Sequence, residues 1–428
     1  MNRHRLASIA TVFAVAALQL SLGGGTAHAA PPPGACTDAQ PAHPDITAQP
    51  WAQQTLAPET AWPYSRGAGV LVAVVDSGVD ADHPQLRRPG KVLAGRDFAA
   101  ARAFPGNFDC DSHGTAVASI IAADALPGVG FHGVAPDATL LPVRVSDRDI
   151  GDRGETLRIN PQVIGAGIRY AVDQGARVLN LSLAGLADYS PIRDAVAYAV
   201  ARDVVVVAAA GNAQQNTSTE LPSYPAAYPG VLGVGAVDIN GARASTSQIG
   251  PYVGLVAPGA GVLAATRVGG HAYVDGSSFA TPFVAGTAAL VRAAWPQLSA
   301  PEVIRRLEAT ASPARGGQAS DAYGAGLVNP YRAVTDGMDL APAAGLPAYH
   351  PAPVDTAALA HTAWVHDTTS TATWLAFGGA GAMVLVALVF VVVPRGRRRA
   401  WQPGRAASVA AEPAGNEPPE QISLLQRS

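Results

Sequence analysis

Four short stretches carry residue types suited to acyl transfer. In Gly276-Ser277-Ser278-Phe279-Ala280-Thr281-Pro282, a serine stands at the head of an apolar run from Phe283 to Ala294. A serine in such a place ordinarily caps its helix, its hydroxyl accepting a bond from a free backbone N–H. The same place suits a nucleophile, because Gly276 allows a tight turn and the helix N-terminus favours developing negative charge. His113, in Asp111-Ser112-His113-Gly114-Thr115-Ala116-Val117-Ala118, opens another helical pattern, with small residues that allow close packing beneath it. Asp76 ends the apolar run Val70 to Val75, where a carboxylate is placed to hold a ribose, a metal or a histidine. No glycine-rich phosphate loop follows it, which weakens the nucleotide option. Asn212, in Ala208-Ala209-Ala210-Gly211-Asn212, has an amide that can serve an oxyanion or simply a turn. Each of the four has a structural reading on its own. Together, in the order Asp, His, Ser, their pattern is more informative than any one of them alone.

The elements that must position them follow from the apolar pattern. Continuous apolar runs suit strands buried on both faces, and they recur at Val70–Val75, Thr139–Val145, Val178–Leu183, Val204–Ala209 and Val231–Val237. Helical patterns lie between them at Thr115–Ala123, Pro161–Gln174 and Pro191–Arg202, and a short one runs from Trp51 to Trp62. Strand and helix in alternation predict an α/β fold with a mostly parallel sheet and right-handed crossovers. Past Gly250 short strands and turns lead to the helix behind Ser278. A further helix is expected at Ala300–Ala311, with Ser299 as its N-cap and Pro301 early in it. The stretch from Tyr323 to Val334 closes the domain.

Composition narrows the setting. Hydrophobic residues make up 48% of the 428 residues, enough for a sizeable core, and the net charge of −3 argues against nucleic acid as a partner. Arg3, His4 and Arg5, the apolar run Leu6–Leu22 and Ala27-His28-Ala29 are the parts of a secretory signal peptide, with cleavage expected after Ala29. Leu375–Val393 is uncharged and apolar, long enough to cross a bilayer core of roughly 30 Å. Trp374 precedes it, and Arg395, Arg397, Arg398 and Arg399 follow, which puts the C-terminal side in the cytoplasm. The expected layout is a signal peptide (1–29), an extension (30–50), a catalytic domain (51–337), an Ala/Pro-rich linker (338–373), one membrane span (374–394) and a basic cytoplasmic tail (395–428). Cys36 and Cys110 are the only cysteines, and in an oxidising compartment an isolated pair most simply forms one disulfide. Nothing near them repeats at metal-ligand spacing, and the chemistry calls for no cofactor.

In chain order and in wording, Val-Val-Asp76-Ser-Gly, His113-Gly-Thr-Ala-Val-Ala and Gly-Ser-Ser278-Phe-Ala-Thr-Pro resemble the subtilisin-like serine peptidases, or subtilases, from about Trp51 to Gly337. Asp82-His83-Pro84-Gln85-Leu86, Gly133-Val134-Ala135-Pro136 and Tyr228-Pro229-Gly230-Val231 extend the resemblance. It implies the subtilisin-like three-layer fold, with Ser278 as nucleophile, His113 as general base, Asp76 as its orienting carboxylate and Asn212 as oxyanion donor. It further implies that Ser182, Leu183 and Ala184 pair with extended substrate, Ala184 replacing a commoner glycine, and that Ser223 lies at the floor of the main specificity pocket. The whole layout is similar to the mycosins, the membrane-anchored subtilases of actinobacterial type VII secretion systems, in which a Cys36–Cys110 bridge would tie the extension to the loop before the histidine. That resemblance implies limited proteolysis of exported proteins and association with the secretion membrane complex. The alternatives are a stabilising component of that complex with dispensable catalysis, or a general cell-surface subtilase. About twenty residues between the cleavage site and Trp51 are too few for a folded inhibitory propeptide. The extension is therefore expected to lie along the domain without blocking the site.

Overall fold

A computed structural model describes residues 41–337, apart from 101–103, 147–159, 215–219 and 316–318, together with 31, 35–36, 393–395 and 397–398. The expected signal peptide, linker and cytoplasmic tail lie outside these residues almost entirely, as does the 374–394 span apart from its last two. Among the described residues, no helix is long and apolar enough to cross a membrane.

Seven parallel strands form the central sheet. They are β1 (Leu71–Asp76), β2 (Arg96–Asp97), β3 (Thr139–Arg144), β4 (Val178–Leu181), β5 (Val205–Ala209), β6 (Val231–Val237) and β7 (Val253–Pro258), in the spatial order β2-β3-β1-β4-β5-β6-β7. The sheet is buried on both sides, and the period of two sorts each strand's residues between its faces. Val72 and Val74 of β1 pack with helices α2 (His113–Ala122) and α5 (Ser277–Ala294), whereas Ala73 and Val75 pack with α3 (Pro161–Asp173) and α4 (Ser190–Ala201). The result is the predicted α/β architecture, helix layers on either side of a parallel sheet. The short helix α1 (Trp51–Leu56) begins the described helices, and α6 (Ala300–Ala309) and α7 (Pro330–Thr335) end those of the domain. A two-stranded antiparallel hairpin, β8 (Val262–Ala265) and β9 (His271–Val274), stands beside the sheet.

Most predicted elements are present with small shifts in their ends. Trp51–Trp62 divides: α1 stops where Ala57 takes φ 41°, and a 3-10 turn, Pro58–Ala61, follows. At α6 the Ser299 hydroxyl and the Glu302 carboxylate form a capping box. Of the extension, residues 43–45 lie against the β8–β9 hairpin, and the Ile46 carbonyl accepts from the Gly130 N–H over 2.8 Å. The His43 N–H donates to the Gly269 carbonyl over 2.9 Å, and the His271 N–H donates to Pro44 over 3.2 Å.

Candidate active site

Asp76 is the last residue of β1, and His113 is the first of α2. The loop between brings them together: His113 Nδ1 lies 2.8 Å from Asp76 Oδ1, and both side chains are buried. An ionised carboxylate only accepts, so Nδ1 carries the proton and the imidazole lone pair is on Nε2. The Ser77 N–H donates to the same Asp76 oxygen over 2.7 Å, which fixes the carboxylate against its own turn. Gly114 is required where α2 meets that turn, since a Cβ there would stand 2.0 Å from the Gly78 carbonyl oxygen. At the far end of α2, the ammonium of Lys91, the sole lysine of the chain, donates to the Ala122 carbonyl over 2.8 Å and pairs with Asp124. Burial pushes the pKa of this amine down, and the Asp124 carboxylate opposes that shift.

Ser278 does not cap its helix. The helix α5 starts at Ser277, six residues before the apolar run that begins at Phe283, and its N-cap is Gly276 at φ 140° with no side-chain cap bond. Ser278 is therefore inside the first turn, where backbone N–H groups still lack helical partners. Phe279, its neighbour, packs against the imidazole of His113, with ring centroids 4.9 Å apart. The head of α5 and the head of α2 thus meet at the carboxyl end of β1.

Asn212 lies three residues beyond β5. The Ser277 N–H donates to its Oδ1 over 2.8 Å, and that partner can only donate, so the amide presents Nδ2 as a donor on its other side. Ser277 is held in turn, its hydroxyl accepting from the Gly211 N–H over 3.0 Å. Ser182, just past β4, gives its hydroxyl to the backbone carbonyl of Ser278 over 2.6 Å and accepts from Asn180 Nδ2 over 2.9 Å. Leu183 is buried and Ala184 half-buried, and Gly185 exchanges two backbone bonds with Tyr224. Ser223, beside that bridge, is fully buried, and its hydroxyl has no hydrogen-bond partner among the described residues. Cys36 and Cys110 form a disulfide, which ties the extension to the loop three residues before His113.

Sequence reading missed the groups that brace this arrangement. Asp109 accepts from the Ser77 and Thr115 hydroxyls, and its only local signal is its place four residues before His113. Among the described residues no group of His, Cys, Asp and Glu is placed to hold a metal ion.

Asp76, His113 and the first turn of the Ser278 helix thus lie together, His113 bonded to Asp76 and packed against Phe279. The subtilase family model (peptidase S8) matches residues 67–326. Thermitase of Thermoactinomyces vulgaris is 38% identical over 294 residues, which span 69% of this chain and 99% of thermitase. The structure of the MycP3 protease from the type VII (ESX-3) secretion system superposes with a TM-score of 0.58 at 34% identity, covering 72% of this chain and 97% of MycP3. MycP1 from Mycobacterium smegmatis gives a TM-score of 0.58 at 30% identity, covering 74% of this chain and 95% of MycP1. The chain belongs to the subtilase family and is a serine endopeptidase of the subtilisin type.

Proposed function

We propose that the chain cleaves peptide bonds with Ser278 as nucleophile, His113 as general base, Asp76 as orienting carboxylate, and Asn212 with the Ser278 N–H as oxyanion donors. The observation that carries this reading is the 2.8 Å bond between Asp76 and His113 at the head of the helix facing Ser278. Ser278 Oγ attacks the scissile carbonyl carbon while His113 Nε2 takes the hydroxyl proton. The carbonyl oxygen becomes an oxyanion, stabilised by Asn212 Nδ2 and the Ser278 N–H, groups already fixed before the charge appears. The intermediate then collapses, and the C–N bond breaks as His113 returns the proton to the leaving amine. Water, deprotonated by His113, attacks the acyl-enzyme and releases the carboxylic acid and Ser278. Asp76 keeps the tautomer and stabilises the imidazolium at both stages. The backbone of Ser182, Leu183 and Ala184 would pair with extended substrate, and the Ser223 hydroxyl would face the side chain preceding the cut bond.

The setting is proposed as extracytoplasmic, with the catalytic domain tethered to the cell membrane by the 374–394 span and the basic tail in the cytoplasm. The charge pattern around that span and the signal-peptide pattern at the N-terminus support it. Likeness to MycP1 and MycP3 supports limited proteolysis of proteins exported by a type VII secretion system, in association with its membrane complex. The test is Ser278→Ala in the producing cell, followed by analysis of the secreted proteins. Loss of a specific cleavage with export intact is the expected result. A wild-type protein that fails to react with a fluorophosphonate at Ser278 would overturn the reading.

A further inference from the structure

The two segments that carry Asp76 and His113 share one buried side chain. Asp109 accepts four hydrogen bonds: from the Ser77 hydroxyl (3.0 Å) and the Asp111 N–H (2.9 Å) at Oδ1, and from the Thr115 N–H (2.9 Å) and the Thr115 hydroxyl (2.6 Å) at Oδ2. Ser77 directly follows Asp76, and Thr115 is two residues past His113. The Ser77 hydroxyl also accepts from the Gly114 N–H over 2.9 Å, so the bond runs from Asp109 through Ser77 to the residue after the imidazole. The Thr115 hydroxyl likewise accepts from the Asp80 N–H over 3.0 Å. Asp109 pairs with Gly78 in an antiparallel bridge as well, so its backbone is locked to the same turn as its carboxylate.

We propose that Asp109 is a positioning residue for the peptidase reaction, whose carboxylate holds the Asp76 turn against the first turn of α2 and offsets the positive end of that helix beneath the imidazole of His113. This rests on the reading of His113 as general base. The geometry gives two separable effects. The first is mechanical: both partners of the Asp76–His113 bond hang on one acceptor, so losing it loosens their relative placement. The second is electrostatic. A histidine at a helix N-terminus sits where unpaired N–H groups oppose an imidazolium. Asp109 takes one of those N–H groups and supplies a negative charge at the same end. The other charged residues on the elements packed here are Asp76, bonded to the imidazole, Asp111, whose Oδ1 accepts from the His113 N–H, Asp80, whose N–H donates to Thr115, Arg267, whose N–H donates to the Ser112 hydroxyl, and Arg144 of β3, packed beside Gly78. Arg144 is bonded to Asp97 over 2.7 Å and lies 4.9 Å above the Phe108 ring, so its charge is largely answered.

Asp109→Asn tests both effects in the full-length protein, assayed on a chromogenic peptide and normalised to sites titrated with a fluorophosphonate. The expected result is a fall in kcat of about 10- to 100-fold, with KM changed less than about twofold, as for a small misplacement of reacting groups. Loss of the charge also moves the acid limb of the kcat/KM profile to lower pH by roughly half to one unit. Asp109→Glu, which keeps the charge, is expected to leave the limb where the wild type has it. A kcat per titrated site equal to wild type in Asp109→Asn, with an unmoved limb, would overturn the proposal, whatever happened to stability. Should that variant not fold, Thr115→Val removes one donor and keeps the charge. It is expected to lower kcat roughly two- to tenfold with the limb unmoved, and an unchanged kcat would equally sink the proposal. A wild type lacking any acid limb would instead remove the His113 reading, and this one with it.

Discussion

The Ser182 hydroxyl completes the first turn of the helix that carries Ser278. Pro282 occupies the position whose N–H would normally bond to the Ser278 carbonyl, and proline has none. Ser182 supplies the missing donor over 2.6 Å, from a segment 96 residues away in sequence. The proline thereby opens a carbonyl that a neighbouring strand end can grip, and the nucleophile's backbone is pinned from outside its own helix.

Ser182→Ala should therefore leave a buried carbonyl without a partner. Such a loss typically costs about 1–3 kcal/mol of stability. Thermal denaturation of an inactivated protein measures that part, and kcat per titrated site measures the effect on the nucleophile. A lower Tm with reduced kcat and near-constant KM is expected. Unchanged values of both would mean that the carbonyl finds another donor.

Asn212 accepts from the Ser277 N–H at Oδ1, so Nδ2 is its donor end. Asn212→Asp keeps an acceptor for the Ser277 N–H and removes the Nδ2 donor. The expected loss is about 10²- to 10³-fold in kcat, the usual effect of removing one oxyanion donor. KM should move little, because the donor acts on charge that exists only after attack. A loss confined to KM would place Asn212 in ground-state binding instead.

Asp76→Asn separates geometry from tautomer. The amide oxygen can replace one carboxylate oxygen, yet the Ser77 N–H and the imidazole then compete for a single neutral acceptor. An amide N–H turned toward His113 would leave Nδ1 unprotonated and Nε2 without its lone pair. A fall of about 10⁴-fold in kcat is expected, by analogy with the same change in chymotrypsin-type enzymes. Activity within tenfold of wild type would show that the carboxylate does not set the tautomer here.

The strands and the residues at their ends were legible because a parallel sheet writes continuous apolar runs with polar breaks at the carboxyl edge. Asp76 is such a break after Val70–Val75, and Asn212 follows another. The start of α5 was not legible. A proline at the sixth helical position reads as the start of a new helix, and its compensation by Ser182 has no local trace. Asp109 was hidden for a similar reason, since its partners Ser77 and Thr115 are unremarkable until the turn and the helix meet. The β8–β9 hairpin is short, and its histidine contacts are made by residues more than a hundred positions apart.

The Cys36–Cys110 disulfide closes a separation of 74 residues. On the chain-entropy estimate such a link stabilises by about 4 kcal/mol. Cys36→Ser with Cys110→Ser should lower the unfolding free energy by up to that amount in urea titrations. The bonds of His43 and Pro44 to the hairpin remain, so the His43 and His271 amides are expected to stay protected from hydrogen exchange in the variant. Loss of that protection would show that the disulfide alone holds the extension in place.

His271 connects the extension to acidity. Its Nε2 lies 2.7 Å from Gln85 Oε1, and Gln85 spends its own amide hydrogens on the Asp124 and Phe131 carbonyls. His271 is thus the donor at Nε2 and carries its lone pair at Nδ1, 3.5 Å from the Asp45 carboxylate of the extension. Burial, reinforced by neighbouring His83 and opposed by Asp45, pushes its pKa down to about 4. Burial also lowers that of His83. Between an unfolded value near 6.5 and that folded value, the unfolded chain binds the proton and the folded one does not. Stability from His271 is therefore full above about pH 6.5 and is lost as the pH falls toward 4, by roughly 3 kcal/mol in all. In a Ser278→Ala background, which prevents autolysis, Tm should drop across this window. His271→Gln, which keeps a donor for Gln85 and cannot titrate, should flatten the drop. An equal pH dependence in both proteins would place the acid sensitivity elsewhere, since no other change at this position separates them.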